Sequence, residues 1–98
     1  MTDKQFNDAF TAAGGWFIVT QYQFIANSNL ERNELLHKLF EKEFDTDIRG
    51  TSTRLSSILR IIREGRSKEA LEKIRDSQRI NAQHPEAKAM AEEILASL

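Results

Sequence analysis

Apolar residues recur along this chain three and four positions apart and almost never in strict alternation, the periodicity of helices that bury one face. The first such set is Phe6, Ala9, Phe10 and Ala13, which predicts a helix over Asp3 to Ala13, capped by Thr2 and ended by Gly14-Gly15. Trp16 to Ala26 is the one ambiguous stretch. Its aromatic and β-branched content suits a strand, with Gln21 and Gln23 alternating with Tyr22 and Phe24. Ile18, Tyr22 and Ile25 also share a helical face, and no neighbouring segment offers a second strand, so a mostly buried helix is the reading. Ser28-Asn29-Leu30-Glu31 matches a capping box and predicts a helix start there. Leu35, Leu36, Leu39, Phe40 and Phe44 carry that helix to about Phe44, with Glu31, Glu34, Glu41 and Glu43 towards solvent.

The clearest pattern lies in Ile48 to Arg66. After a connector from Asp45 to Gly50, Leu55, Ile58, Leu59 and Ile62 form a regular stripe that predicts a helix from about Ser52 to Glu64. Thr51, Ser52 and Thr53 are its candidate caps and Gly65 its stop. Ser67 then caps a helix to about Asn81, with Ala70, Leu71, Ile74 and Ile80 inward. Pro85 opens a last helix whose stripe, Ala87, Met90, Ala91, Ile94, Leu95 and Leu98, runs to the C-terminus. Five to six short helices with connections of a few residues predict an all-α, single-domain orthogonal or open bundle.

Composition narrows the function. Ninety-eight residues, 40% hydrophobic and 30% charged, suit one soluble domain. No apolar run approaches a membrane span, and nothing at the N-terminus resembles a secretory signal, so a cytoplasmic location is expected. The absence of cysteine removes disulfides, thiolate metal sites and cysteine nucleophiles. A net charge of -1 conceals a polarity along the chain. Met1 to Asp47 holds four basic against eight acidic residues, whereas Ile48 to Arg79 holds nine against four. A local positive excess steers an anionic partner, or else faces the acidic part of the same molecule.

Among chemical motifs, Asp45-Thr46-Asp47-Ile48-Arg49-Gly50 resembles the first half of an EF-hand loop. Arg49 stands at the fifth position, where an oxygen ligand belongs, and Ser56 at the twelfth, where a bidentate glutamate belongs, so the set does not hold calcium. His37, with Glu34 and Glu41 at helical spacing, offers too few nitrogen ligands for zinc, and His84 before Pro85 reads as a turn residue. Nothing has the spacing of a catalytic triad or of a phosphate loop after a strand, so a non-enzymatic role without cofactor, metal or small-molecule substrate is expected. Glu69 to Ala91 resembles one tetratricopeptide-type helical hairpin, which implies that the last helix packs on the one before it. The distance to Pro85 departs from that repeat, and no second copy follows.

The basic segment remains. Thr53, Ser56, Arg60 and Arg63 share the face opposite or flanking the apolar stripe, and Thr51, Ser52 and Thr53 with Arg49 and Arg54 sit at the expected helix N-terminus, which favours anions. Together with Arg66 these form a candidate phosphate-binding surface for DNA or RNA on a helix-turn-helix-like pair. The competing expectation is a protein-interaction module or homodimer whose arginines pack their stems on the apolar stripe and pair with nearby glutamates.

Overall fold

Wherever the sequence carries an apolar stripe, the computed structural model forms a helix. All 98 residues are described: α1 Asp3–Ala13, α2 Gly15–Ala26, α3 Arg32–Phe40, α4 Ile48–Arg63, α5 Ser67–Asp76, α6 Gln78–Gln83 and α7 Ala87–Ser97. There is no strand, and no helix is long and apolar enough to cross a membrane. α4 packs along α1 and is flanked by α3, α7 packs along α5, and α2 lies against α7, α5 and α4. One buried apolar cluster draws on every helix except α6, which adds only half-buried Ile80.

α1 starts as its sequence requires. Thr2 Oγ1 accepts from the Gln5 backbone N–H at 3.1 Å and Gln5 Oε1 accepts from the Thr2 N–H at 2.9 Å, a reciprocal cap. Gly14 ends the helix at φ 86°, a left-handed value that disfavours any side chain. A Cβ there would also stand 2.7 Å from Arg54 Nη1. α2 is helical, as expected, and buries Phe17, Ile18, Val19, Tyr22 and Ile25.

Several expected boundaries move, each for a visible reason. Ser28 does not open α3: its hydroxyl accepts from the Leu30 N–H at 3.0 Å, a local turn, and the helix begins at Arg32. α3 ends at Phe40, because Glu43 adopts a left-handed φ of 64° that turns the chain. α4 begins at Ile48, since Asp47 captures the Arg49 N–H at 2.8 Å and so caps the helix before Thr51, Ser52 or Thr53 can. Gly50 lies within the first turn of α4, where a Cβ would meet the Asp45 carboxyl at 3.0 Å.

The buried face of α4 is Thr51, Leu55, Ile58 and Ile61, whereas Leu59 and Ile62 are half-buried. The helix is thus rotated by about half a residue's turn from the stripe the sequence shows. Fully buried Thr51 explains the shift, because its hydroxyl donates to Asp45 Oδ2 at 3.1 Å and enters the core satisfied.

The expected helix from Ser67 to Asn81 is two helices, which raises the total to seven. Ser77 caps α6 by accepting from the Ile80 N–H at 3.1 Å, and Asn81 Nδ2 donates to the carbonyls of Ile74, Arg75 and Ser77 at 3.0, 3.2 and 2.7 Å. The Ile74 and Ser77 carbonyls also accept from the Ser77 and Asn81 N–H groups, so the asparagine adds a second bond to each and takes up the Arg75 carbonyl at the end of α5, which stabilises the break. Ser67 is the first residue of α5 and not its cap. Pro85 lies in the turn before α7, and Leu98 is 60% exposed instead of inward.

The rotation of α4 is testable by truncation. Ile61→Ala is expected to cost about 3–4 kcal/mol in urea unfolding and Ile62→Ala less than about 2 kcal/mol. Equal costs would restore the unrotated stripe.

Candidate nucleic-acid interface

The arginines of the basic segment divide into those bound to internal partners and those that face outward from α4. Arg54 points inward along the α1 flank. Its Nε donates to Asp45 Oδ1 and Oδ2 at 3.2 and 3.0 Å, its Nη1 donates to the Ala13 carbonyl at 2.6 Å, and its guanidinium lies 5.8 Å from the Phe17 ring centre. With both carboxylate oxygens and the last carbonyl of α1 satisfied by one side chain, Arg54 joins the helices and is unavailable to a phosphate. Arg66 is also committed. It pairs with Asp3 at 2.9 Å and with Glu69, donates to the Thr2 carbonyl, and covers the Phe6 ring at 4.3 Å from its centre. Glu69 first, and Asp3 after it, hold the Arg66 pKa above its ordinary value. It staples the start of α1 to the start of α5 and stands outside any surface on α4.

Two further expectations fail here. Thr51 is buried, so it presents nothing to a partner. Thr51, Ser52 and Thr53 are also not at the helix N-terminus, so their backbone N–H groups are no anion site. The real terminus is occupied by the chain's own Asp47 carboxylate.

The outward face carries the rest. Thr53, Ser56 and Arg63 are exposed, Ser52 and Arg60 are half-buried, and Arg49 stands at the start of the same strip. Arg60 and Arg63 make no ion pair and no hydrogen bond. Arg49 is exposed but answered by Asp47 at 2.7 Å. The Arg49 side chain, and then its backbone N–H, hold the Asp47 carboxyl below the usual carboxylate range, while the Arg49 pKa is raised in return. The Thr53 and Ser57 hydroxyls donate to the carbonyls of Arg49 and Thr53 at 3.1 and 2.8 Å, so their protons are spent on the helix's own backbone.

One residue of this face comes from the helix that the sequence marks as acidic. Arg32, at the start of α3, reaches across so that its Nη2 donates to Ser56 Oγ at 2.6 Å, Ser52 Oγ at 3.1 Å and the Ser52 carbonyl at 3.3 Å. It adds a cation to the strip and ties α3 to α4. Its local surroundings in the sequence, Glu31 and Glu34, hide this, and only the spacing of Ser52 and Ser56 by one helical turn hints at a shared partner. No group of three or more His, Cys, Asp or Glu comes together anywhere in a way that could hold a metal ion. Compared with protein-family models, curated proteins and solved structures, the chain matches none.

The Asp47–Arg49 pair gives a pH test. A carboxylate held low in the folded state adds stability above its unfolded pKa, and that stability is lost as pH falls through the lower folded value. Asp47→Asn keeps a capping oxygen but cannot titrate. The urea midpoint of the variant is therefore expected to fall less steeply than that of the parent from about pH 4 downwards. Identical acid limbs would remove the pair as a contributor.

Proposed function

We propose that this chain is a small non-enzymatic regulatory or accessory protein that binds the phosphate backbone of DNA or RNA with the outward face of α4. The observation that supports the reading is the pair Arg60 and Arg63, two guanidiniums without a hydrogen-bonded internal partner, aligned with the Ser56 hydroxyl, whose proton goes to no internal acceptor, and extended by Arg32 and Arg49; the Thr53 hydroxyl, spent on the Arg49 carbonyl, contributes no donor. Guanidiniums and hydroxyls are the donors that phosphate oxygens accept from. From Arg49 to Arg63 the strip is about 21 Å long, enough to run alongside roughly six phosphates of one strand.

In this reading the helices form an open bundle with α4 on its surface, and contact is to the backbone instead of to base edges. The link between α3 and α4, Glu41 to Asp47, is longer than the three or four residues of a helix-turn-helix, so groove reading by an α3–α4 pair carries no part of the proposal. Arg54 and Arg66, committed to internal partners, drop out of the interface, as does buried Thr51.

Fluorescence anisotropy with duplex and single-stranded probes across a salt series is the experiment. Binding is expected to weaken with salt, and the double substitution Arg60→Ala with Arg63→Ala is expected to lower the log–log slope by about two. Asp47→Asn, which frees Arg49, is expected to tighten binding severalfold at low salt. No binding of either probe at low salt would end the nucleic-acid reading and leave a protein partner or homodimer as the role to test.

A further inference from the structure

A second feature of the molecule lies on the opposite flank of α4, away from the strip. Where the α1–α2 turn meets the α5–α6 break, a cavity of about 460 Å³ opens to the surface. Both walls exist because of local sequence. Gly14 and Gly15 bring the first turn close, for a Cβ on Gly15 would collide with the Ile80 side chain, and the Ser77 and Asn81 caps bend the second wall back. Buried Phe10 and Phe17 and half-buried Ile80 and Phe44 give it an apolar floor. Exposed Lys73 and Arg79 stand at its edge.

Two properties of this cavity point to a ligand class. First, its 14 lining residues include Arg54, Lys73 and Arg79 and no carboxylate, in a chain that holds 15 acidic residues against 14 basic ones. Arg54 is neutralised by Asp45 behind it, whereas Lys73 Nζ has no carboxylate partner: it donates to the neutral Asn7 Oδ1 at 2.8 Å and lies 4.9 Å from the Phe10 ring centre. Arg79 has no ion pair and no hydrogen bond. Two uncompensated cations therefore face one opening. Second, Trp16 and His84 stack across the wall with ring centres 3.9 Å apart and planes within 5°. The site thus already holds flat rings face to face beside an aromatic floor. Its volume falls in the range of small-molecule sites.

We propose that this cavity binds a small organic anion, a flat apolar body carrying one carboxylate or phosphate. The body packs on half-buried Trp16, Phe44 and Ile80 above the Phe10 and Phe17 floor, and the anionic group is held by Arg79 and Lys73. The proposal is independent of the nucleic-acid reading, because none of the residues of the outward strip that remain in that interface line this cavity.

Trp16 is the only tryptophan in the chain and lines the cavity, so its emission reports occupancy directly. The probes are phenyl phosphate and benzoate, with benzyl alcohol and inorganic phosphate as controls lacking either the charge or the ring. Phenyl phosphate or benzoate is expected to change the emission saturably, with a Kd of the order of millimolar for fragments of this size. Which of the two binds more tightly distinguishes a phosphate from a carboxylate ligand. Benzyl alcohol and inorganic phosphate are expected to bind at least tenfold more weakly. Arg79→Gln with Lys73→Gln, both at exposed positions, is expected to weaken the aryl anion at least tenfold, and Thr11→Phe, which narrows the mouth without removing charge, to do the same. No saturable response to either aryl anion would overturn the proposal, as would equal binding of benzyl alcohol or unchanged binding by the charge variant. A response to single-stranded oligonucleotide alone would also overturn it, and would assign the cavity to the nucleic-acid interface.

Discussion

Arg54 is the side chain through which three parts of the fold are fastened. Its guanidinium spans from Asp45, just before α4, to the Ala13 carbonyl at the end of α1, and passes 2.7 Å from where a Cβ on Gly14 would stand. Asp45 in turn accepts from Thr51, which is why a threonine can occupy the core face of α4. The pair is largely shielded, with side chains 27% and 18% exposed, so its attraction is less screened than that of a surface ion pair. Removing either partner would leave a poorly solvated charge behind, which is the costly way to break such a contact.

That fastening sets the rotation of α4, and the rotation sorts the arginines. With Thr51, Leu55, Ile58 and Ile61 inward, Arg54 falls on the α1 flank and Arg60 and Arg63 fall outside. A basic segment that reads as a single patch in the sequence is therefore two things in the molecule. One part is internal bracing, with Arg54 and Arg66 each bound to carboxylates and backbone carbonyls. The other is an outward strip that borrows Arg32 from a neighbouring helix. The cavity lies on the braced side, walled by the same two glycines that let the α1–α2 turn approach.

The all-helical class was legible from the sequence, because stripes such as Phe6, Ala9, Phe10 and Ala13 repeat throughout and no strand could find a partner. Thr2 as the cap of α1 was equally plain, though its reciprocal partner Gln5 was not read, and the capping box that the sequence shows at Ser28 did not form. What escaped were features decided by long-range partners. Asp45 lies nine residues from Arg54, and Ala13 forty-one, so neither the rotation of α4 nor the burial of Thr51 follows from local spacing. The break at Ser77 depends on Asn81 turning back onto the end of α5, which a helix-compatible sequence does not advertise. Of the candidate surface, the outward placement of Thr53, Ser56, Arg60 and Arg63 was readable from the helical wheel. The removal of Arg54, Arg66 and Thr51, and the arrival of Arg32, were not.

The dependence of the fold on the Arg54–Asp45 contact is open to one direct measurement, a double-mutant cycle on unfolding free energy with Arg54→Met and Asp45→Asn. A coupling energy of about 1–2 kcal/mol is expected for a shielded, doubly hydrogen-bonded pair. A coupling below about 0.3 kcal/mol, the additivity of independent sites, would contradict it and leave the rotation of α4 without its fastening.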